Sequence, residues 1–298
     1  MTSKTRPLTP PLNHGDEVIA VASSSALEDE KALLEGLNVL EEWGLLSRPQ
    51  NLSGRRWGDF AGNDQQRNAD LNPQIAAPLM YFVRGGWGAA RLLEMPQKWN
   101  SGWVVGFSDV TAILWSRMAA GFDGGIHGPL LTTLANEPEW SKSRLKSLLF
   151  GKPIPDLKGT SWREGTATGP LVVGNLTVAS HLLGTSHIPN LKNALLIFED
   201  INEAPYKIDR MLTQWRLAGI LQEISGIGFG SFKNCENLDV PNNTHSFTVE
   251  EVLKERTADL DIPIVGNLPI GHLCGNAALP LGRTAHLDGN KGQLSLSP

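Results

Sequence analysis

The chain alternates short apolar runs with longer segments in which apolar residues recur every three or four positions. Short apolar runs bounded by turn residues are typical of buried strands, whereas the longer period is typical of helices that pack one face on a sheet. The clearest short runs are EVIAV, PLMYFV, WVVGF, ALLIFED, GIGFGSF and IPIVGNL. Their alternation with helical segments favours parallel sheets that carry helices on their faces.

Helix boundaries are predicted where start and stop signals flank the longer period. The segment SALEDEKALLEGLNVLEEWG has Ser25 and Glu28 in capping-box spacing, and Gly44 ends it. The segment PYKIDRMLTQWRLAG begins at Pro205 and ends at Gly219. Each is therefore expected to form one amphipathic helix.

A change in composition divides the chain. The stretch 151–168 is rich in Gly, Pro and Thr and has no sustained apolar period, so it is expected to cross between domains. The sequence therefore predicts an α/β protein with a first domain over 1–150, a linker over 151–168 and a second domain over 169–298.

Composition narrows the class of protein. With 41% hydrophobic and 19% charged residues in 298, the chain has ample material for a globular core. A net charge of -5 gives no electrostatic reason to expect a nucleic acid or an anionic membrane as the partner. The cysteines, Cys235 and Cys274, are not in metal-ligand spacing, and no signal-peptide pattern or membrane span is recognised. We therefore expect a cytoplasmic protein.

The first candidate for chemistry is Ser108, which follows the apolar run WVVGF and precedes a predicted helix. Serine in that place commonly caps the helix. It is also where strand-turn-helix elbows hold a nucleophile, although GFSDV lacks the second glycine of G-x-S-x-G. The N–H of Asp109 would then lie beside the Ser108 hydroxyl, where an oxyanion donor is needed. Both interpretations stay open.

The turn RGGWG follows another apolar run. Its glycines either serve only a tight turn, or Gly86 lets the backbone approach a substrate carbonyl and donate an N–H. Arg84 is either a partner for a substrate carboxylate or a structural residue. The Lys-Ser/Thr ending of a phosphate-binding loop is missing.

Acid and base candidates come from the second half and from two loops. Glu199 and Asp200 end the run LIFED, so at least one of them lies at the carboxyl edge of a sheet, where it serves either catalysis or a turn. Among seven histidines, His127 and His272 occur in Gly-flanked segments that read as loops, where side chains reach clefts.

Seven segments together resemble the LD-carboxypeptidases, serine peptidases that include muramoyltetrapeptide carboxypeptidase and the microcin self-immunity peptidases. They occur in family order over most of the chain: FAGNDQQRNADLN (60–72), VRGGWGAARLL (83–93), VGFSDVTAIL (105–114), HGP (127–129), GNLTVASHLLGT (174–185), FEDINEAPYKIDRMLTQWRLAG (198–219) and the GH of 271–272.

The resemblance implies a Rossmann-like, parallel-sheet N-terminal domain and a smaller β-rich C-terminal domain, with a catalytic triad assembled across their cleft. Ser108 matches the family nucleophile, Glu199 its glutamate and His272 its histidine. The N–H groups of Gly86 and Asp109 would form the oxyanion hole. The resemblance implies no metal or cofactor, and it suggests a homodimer.

The implied reaction is hydrolysis of the amide between a diamino acid and the terminal D-alanine of murein tetrapeptides during peptidoglycan recycling. Whether meso-diaminopimelate or lysine is the third residue stays open. One alternative is the microcin-immunity branch, which cleaves an amide in aminoacyl-nucleotide antibiotics and is expected to carry a longer, aromatic-bearing specificity loop. Another is a non-catalytic module that binds cell-wall peptides.

Overall fold

The structure is a computed structural model that describes residues 8–236 and 246–297. The chain divides into two compact units, and three segments contribute to each. The first unit comprises Met1–Ile154, Gly184–Pro189 and Cys274–Gly282, and the second comprises Pro155–Leu183, Asn190–Leu273 and Arg283–Pro298. Each contains its own sheet. The predicted α/β class, with a parallel first sheet and a β-rich second unit, is confirmed.

The first unit is built on a six-stranded sheet in the order β12-β5-β4-β3-β1-β2. Every neighbouring pair is parallel except β12 with β5. The strands are β1 Glu17–Val21, β2 Leu46–Ser47, β3 Leu79–Phe82, β4 Trp103–Gly106, β5 Gly125–His127 and β12 Leu279–Pro280. The helices are α1 Glu30–Glu42, α2 Asp64–Leu71, α3 Thr111–Ala119, α4 Leu131–Leu134 and α5 Glu139–Leu149, with 3₁₀ helices at Ala90–Glu94 and Ser108–Val110.

The second unit is built on an eight-stranded sheet in the order β6-β14-β13-β8-β9-β10-β11-β7. The central strands β8 to β11 run parallel, and the outer strands pair antiparallel. The strands are β6 Leu157–Lys158, β7 Thr160–Arg163, β8 Thr166–Asn175, β9 Leu195–Ile201, β10 Gly226–Lys233, β11 Ile264–Gly266, β13 Thr284–Asp288 and β14 Gln293–Leu296. The helices are α6 Leu176–His181, α7 Pro205–Leu217 and α8 Val249–Thr257.

Strand order explains where chemistry can lie in the first unit. The chain leaves β1 toward β2 on one side and returns to β3 on the other side of β1. In open parallel sheets, ligands bind beyond the carboxyl ends of the strands where the connections reverse direction. The turns after β1, β3 and β4 meet at that edge, and they contain Ser25, Gly85 and Ser108 respectively.

The strands that lead to this edge are buried. All four residues of β3 and of β4 are buried, as parallel strands with covered faces should be. Each fully buried large apolar side chain contributes about 1.5–3 kcal/mol, so the strands that precede these turns are firmly anchored in the core.

The first helix begins later than its sequence predicts. Asp29 is the N-cap, because its side chain accepts from the backbone N–H of Lys31, and α1 begins at Glu30. The predicted capping box of Ser25 and Glu28 is therefore wrong. Ser25 is instead in the turn that meets RGGWG.

The segment predicted as a linker, 151–168, contains β6, β7 and the first residues of β8. In β7, Thr160 and Ser161 are exposed while Trp162 and Arg163 are half-buried, and the first half of β8 has mostly exposed or half-buried positions. Strands of this kind lack the buried apolar run by which the other strands were found. The segment predicted as a linker thus contributes strands to the second sheet, and the boundary between the two units, after Ile154, falls within it.

None of the helices in the described part of the chain combines the length and the hydrophobicity needed to cross a membrane.

Candidate active site

Ser108 lies on a strained turn at the carboxyl end of β4. Its φ is +63°, a left-handed conformation that costs an L-residue about 1–2 kcal/mol. The N-cap residue of the 3₁₀ helix is Phe107 and that of α3 is Val110, and neither side chain makes a capping hydrogen bond. The interpretation of Ser108 as a helix cap is therefore wrong, and the elbow conformation is the one that exposes nucleophiles in serine hydrolases.

Gly85 provides the space beside this serine. A Cβ at Gly85 would lie 3.0 Å from both Cβ and Oγ of Ser108 and 3.7 Å from the backbone nitrogen of Asp109. The turn after β3 therefore touches the elbow through Gly85. Sequence reasoning named Gly86 and missed Gly85, because the two adjacent glycines give the same signal.

Gly86 is required by the same turn. Its φ is +107°, and a Cβ there would lie 2.1 Å from Ser25 Oγ. Ser25 donates its N–H to the carbonyl of Gly85 at 3.3 Å, and its hydroxyl accepts from the N–H of Trp87 at 3.3 Å. The turn is thus fixed to the segment after β1, while the oxyanion role of Gly86 stays a prediction.

Asp109 ties the elbow to the RGGWG turn. Its buried carboxylate accepts from the N–H of Ala89 at 2.8 Å. Burial raises the pKa of Asp109, and hydrogen bonds from Ser24, Ala89 and Gly88, with the charge of buried Arg67, oppose that rise. The Asp109 carboxylate is therefore hydrogen-bonded to groups of the protein itself. Any contribution of Asp109 to an oxyanion hole would come from its backbone N–H.

Arg84 and His127 both make contacts within the first unit. Arg84 donates to the carbonyl of Ala26 at 2.7 Å and forms an ion pair with Glu28 at 3.1 Å, so its role as a substrate ligand stays a prediction. His127 ends β5, fully buried, with its ring edge-on to Phe107 at 5.6 Å between centroids. The expectation that His127 lies in a loop is wrong.

Glu199 and His272 form a close pair in the second unit. Glu199 is fully buried in β9, between β8 and β10, and His272 follows β11. His272 Nδ1 lies 2.7 Å from Glu199 Oε2. A carboxylate that accepts from Nδ1 holds the proton there and places the basic lone pair of the ring on Nε2. The pair thus has the geometry of a general base with its orienting acid.

Gly271 lets the histidine approach the acid. Its φ is +102°, and a Cβ there would lie 2.6 Å from Glu199 Oε2 and 2.7 Å from Glu199 Cβ. A side chain at this position would occupy the space of the carboxylate. The Gly-His sequence is therefore a steric requirement of the pair.

Asn175 and Thr177, which sequence reasoning missed, bond the two acids of β9. Asn175 Nδ2 donates to Glu199 Oε1 at 3.3 Å and to Asp200 Oδ1 at 3.0 Å. The N–H and the hydroxyl of Thr177 both donate to Asp200 Oδ2 at 2.8 Å. Burial, and next the charge of Glu199, raises the pKa of Asp200 to about 6.

The predicted site residues thus fall into two groups. Arg84, Gly86, Ser108 and Asp109 belong to the first unit, where the elbow and the RGGWG turn are in contact. Glu199 and His272 belong to the second unit and are hydrogen-bonded to each other.

Two family models match the two halves of the chain. The model of the LD-carboxypeptidase N-terminal domain matches residues 17–128, and that of the C-terminal domain matches residues 168–287. The chain belongs to the LD-carboxypeptidase family. As a member, it is a peptidase and therefore a hydrolase.

Two relatives of this LD-carboxypeptidase match almost their full length. A protein of Synechocystis sp. named as a carboxypeptidase, slr1534, is 46% identical over 96% of this chain and 95% of its own. The murein tetrapeptide carboxypeptidase of Pseudomonas aeruginosa is 31% identical over 94% of this chain and 95% of its own.

Solved structures share the fold of this LD-carboxypeptidase. The microcin C7 self immunity protein MccF, in complex with glutamyl sulfamoyl guanosine, has a TM-score of 0.83 at 20% identity, covering 98% of each chain. The muramoyltetrapeptide carboxypeptidase of Oxalobacter formigenes has a TM-score of 0.79 at 24% identity, covering 94% of this chain and 97% of its own.

Proposed function

We propose that the protein is a serine LD-carboxypeptidase that hydrolyses the amide between the diamino acid and the terminal D-alanine of murein tetrapeptides in peptidoglycan recycling. The observation that carries the proposal is the buried Glu199 hydrogen-bonded to His272 at 2.7 Å in a chain of this family. The murein tetrapeptide carboxypeptidase of P. aeruginosa, 31% identical over nearly the whole chain, supports the choice of substrate.

In this proposal Ser108, Glu199 and His272 act as a triad. Ser108 Oγ attacks the amide carbonyl, and His272 Nε2 takes the hydroxyl proton. The C–N bond then breaks, and the same proton passes to the amine of the departing D-alanine. Water, deprotonated in turn by His272, hydrolyses the acyl-enzyme and restores the Ser108 hydroxyl. Glu199 orients the ring and stabilises its positive charge throughout.

The oxyanion formed at the carbonyl would accept from the N–H groups of Asp109 and Gly86. The contact between Gly85 and Ser108 supports this assignment, because it brings the turn that contains Gly86 to the elbow. Removing one donor of this kind costs about 3 kcal/mol of transition-state stabilisation.

We also propose that the enzyme acts in the cytoplasm and as a homodimer. Cys235 and Cys274 are both free thiols, which fits a reducing compartment. The homodimer rests on the family resemblance, and size-exclusion chromatography with light scattering tests it directly.

A second candidate is cleavage of aminoacyl-nucleotide conjugates. It is favoured by the TM-score of 0.83 to MccF, whose structure contains such a compound. A non-catalytic module that binds cell-wall peptides is the third.

One experiment separates these functions. The pure protein is incubated with a muramoyl tetrapeptide and, separately, with an aminoacyl sulfamoyl adenosine, and products are followed by mass spectrometry. Release of D-alanine from the tetrapeptide supports the proposal. Cleavage of the adenosine conjugate alone supports the second candidate, and binding of the peptide without turnover leaves the third.

A further inference from the structure

We propose that Asn175 is a positioning residue for the Glu199–His272 pair and that Asp200 is the anchor that holds Asn175 in place. The inference rests on the proposed function, because it assigns a part of the same site.

The two oxygens of Glu199 have separate partners. Oε2 faces His272 Nδ1 at 2.7 Å, and Oε1 accepts from Asn175 Nδ2 at 3.3 Å. The terminal torsion of a glutamate is soft, so one partner alone leaves the plane of the carboxylate free to turn. Two partners on different oxygens fix that plane, and with it the direction in which the imidazole is held.

The orientation of the Asn175 amide is itself determined. Its Oδ1 accepts from the N–H of Val178 at 3.1 Å and so caps α6, which leaves Nδ2 to face the acids. The amide group carries two N–H hydrogens, and Nδ2 lies within hydrogen-bond distance of two carboxylates. An N-cap alone would need only the oxygen, so the second function of this side chain lies in its nitrogen.

Both oxygens of the Asp200 carboxylate accept hydrogen bonds. Its Oδ1 accepts from Asn175 Nδ2 at 3.0 Å and from the N–H of Ile201 at 2.8 Å, while both groups of Thr177 donate to Oδ2. An acceptor-only environment fits the ionised carboxylate. Asp200 thus offers Asn175 a charged, immobile acceptor.

The charged and titratable groups around Asp200 complete the arrangement. Glu199 is the preceding residue on β9. Burial, and then the negative charges of Asp200 and Glu199 among others, raises the pKa of the Cys235 thiol to about 11, so this thiol stays neutral. The negative charge of Glu203 also raises the pKa of the Cys235 thiol. The Asn175 amide stands between the two neighbouring carboxylates and offsets part of their mutual repulsion.

The test separates the nitrogen of Asn175 from its capping oxygen. Asn175→Asp keeps the capping acceptor and removes the donor, and Asn175→Ala removes both. The control is Thr257→Val, which deletes a buried hydroxyl of the same unit that bonds the carbonyl of Leu253 at 2.7 Å. Each variant is assayed for kcat and KM of D-alanine release, and the ring N–H proton of His272 is observed by NMR.

Both Asn175 variants are expected to lower kcat by about 100-fold, since misplacing a catalytic group by about 1 Å costs that much. KM should change little, and the His272 ring N–H resonance should move upfield as its hydrogen bond to Glu199 lengthens. Thr257→Val should leave all three quantities as in the wild type.

Wild-type kcat and an unmoved His272 resonance in Asn175→Asp would overturn the proposal, as would a raised KM with unchanged kcat, which marks a substrate contact. Should the Asn175 variants fail to melt cooperatively, Thr177→Val decides by the same readouts, with about a tenfold loss in kcat expected from one hydrogen bond to a charged group. If the wild type releases no D-alanine, the proposed function fails, and the His272 resonance alone decides the positioning role.

Discussion

Replacing Gly271 with alanine places a methyl group where the Glu199 carboxylate stands. The new Cβ would lie 2.6 Å from Glu199 Oε2 and 2.7 Å from Glu199 Cβ. Atoms at these distances overlap, so either the carboxylate or the loop that holds His272 must move. The backbone adds strain, because φ at this position is +102°.

The size of the effect follows from those two terms. A left-handed conformation costs an L-residue about 1–2 kcal/mol, and overpacking in a well-packed site adds about 1–3 kcal/mol. The free energy of unfolding should therefore fall by about 2–5 kcal/mol. Displacement of the acid–imidazole pair should lower turnover by about 100-fold even in the folded protein.

Gly219→Ala is the matched control. Gly219 also has a positive φ, +74°, but a Cβ there would meet no atom within 4 Å. This variant should lose only about 1–2 kcal/mol and keep wild-type turnover. Denaturant unfolding and D-alanine release are measured on both variants. Wild-type turnover in Gly271→Ala, or an equal loss of turnover in Gly219→Ala, would refute the reasoning.

Two further predictions concern the acids of β9. Glu199→Gln should melt like the wild type but lose about 10⁴-fold in D-alanine release. The Asn175 donor would bond the new amide oxygen and so turn the NH₂ group toward His272 Nδ1, which forces the wrong tautomer of the ring. Near-normal release would remove Glu199 from the mechanism. For Asp200, the pKa raised from 3.8 to about 6 means that the folded protein binds the proton more tightly, so this group's stability contribution is complete below pH 3.8 and is lost as the pH rises through 6. Between pH 4 and pH 7 the loss is about 2 kcal/mol, measured as the change in the wild-type minus Asp200→Asn difference in unfolding free energy; a difference that stays flat over this range would contradict it.

The elements that the sequence predicted well are those whose signals are local. Buried parallel strands such as β3 and β4 appear as unbroken apolar runs, and α7 is marked by Pro205 at its start and Gly219 after its end. The run LIFED predicts that at least one of Glu199 and Asp200 lies at the carboxyl edge of a sheet, and both are among the last three residues of β9.

The features that escaped prediction depend on contacts between distant segments. β7 pairs antiparallel with β11 at the edge of the second sheet, and nothing in its own short sequence, TSWR, indicates that partner. Ser25 has the spacing of a helix cap but bonds the turn after β3. Asn175 reads as an ordinary residue before a helix, and only the fold brings its amide between Glu199 and Asp200, because β8 and β9 are neighbours in register.

The central claim is that Ser108 is the nucleophile of an amide hydrolase, and the most direct measurement is D-alanine release from a muramoyl tetrapeptide by Ser108→Ala beside the wild type. The account predicts steady release by the wild type and a loss of at least about 10³-fold in the variant, with an unchanged melting curve. Release by Ser108→Ala at a rate close to that of the wild type would contradict it.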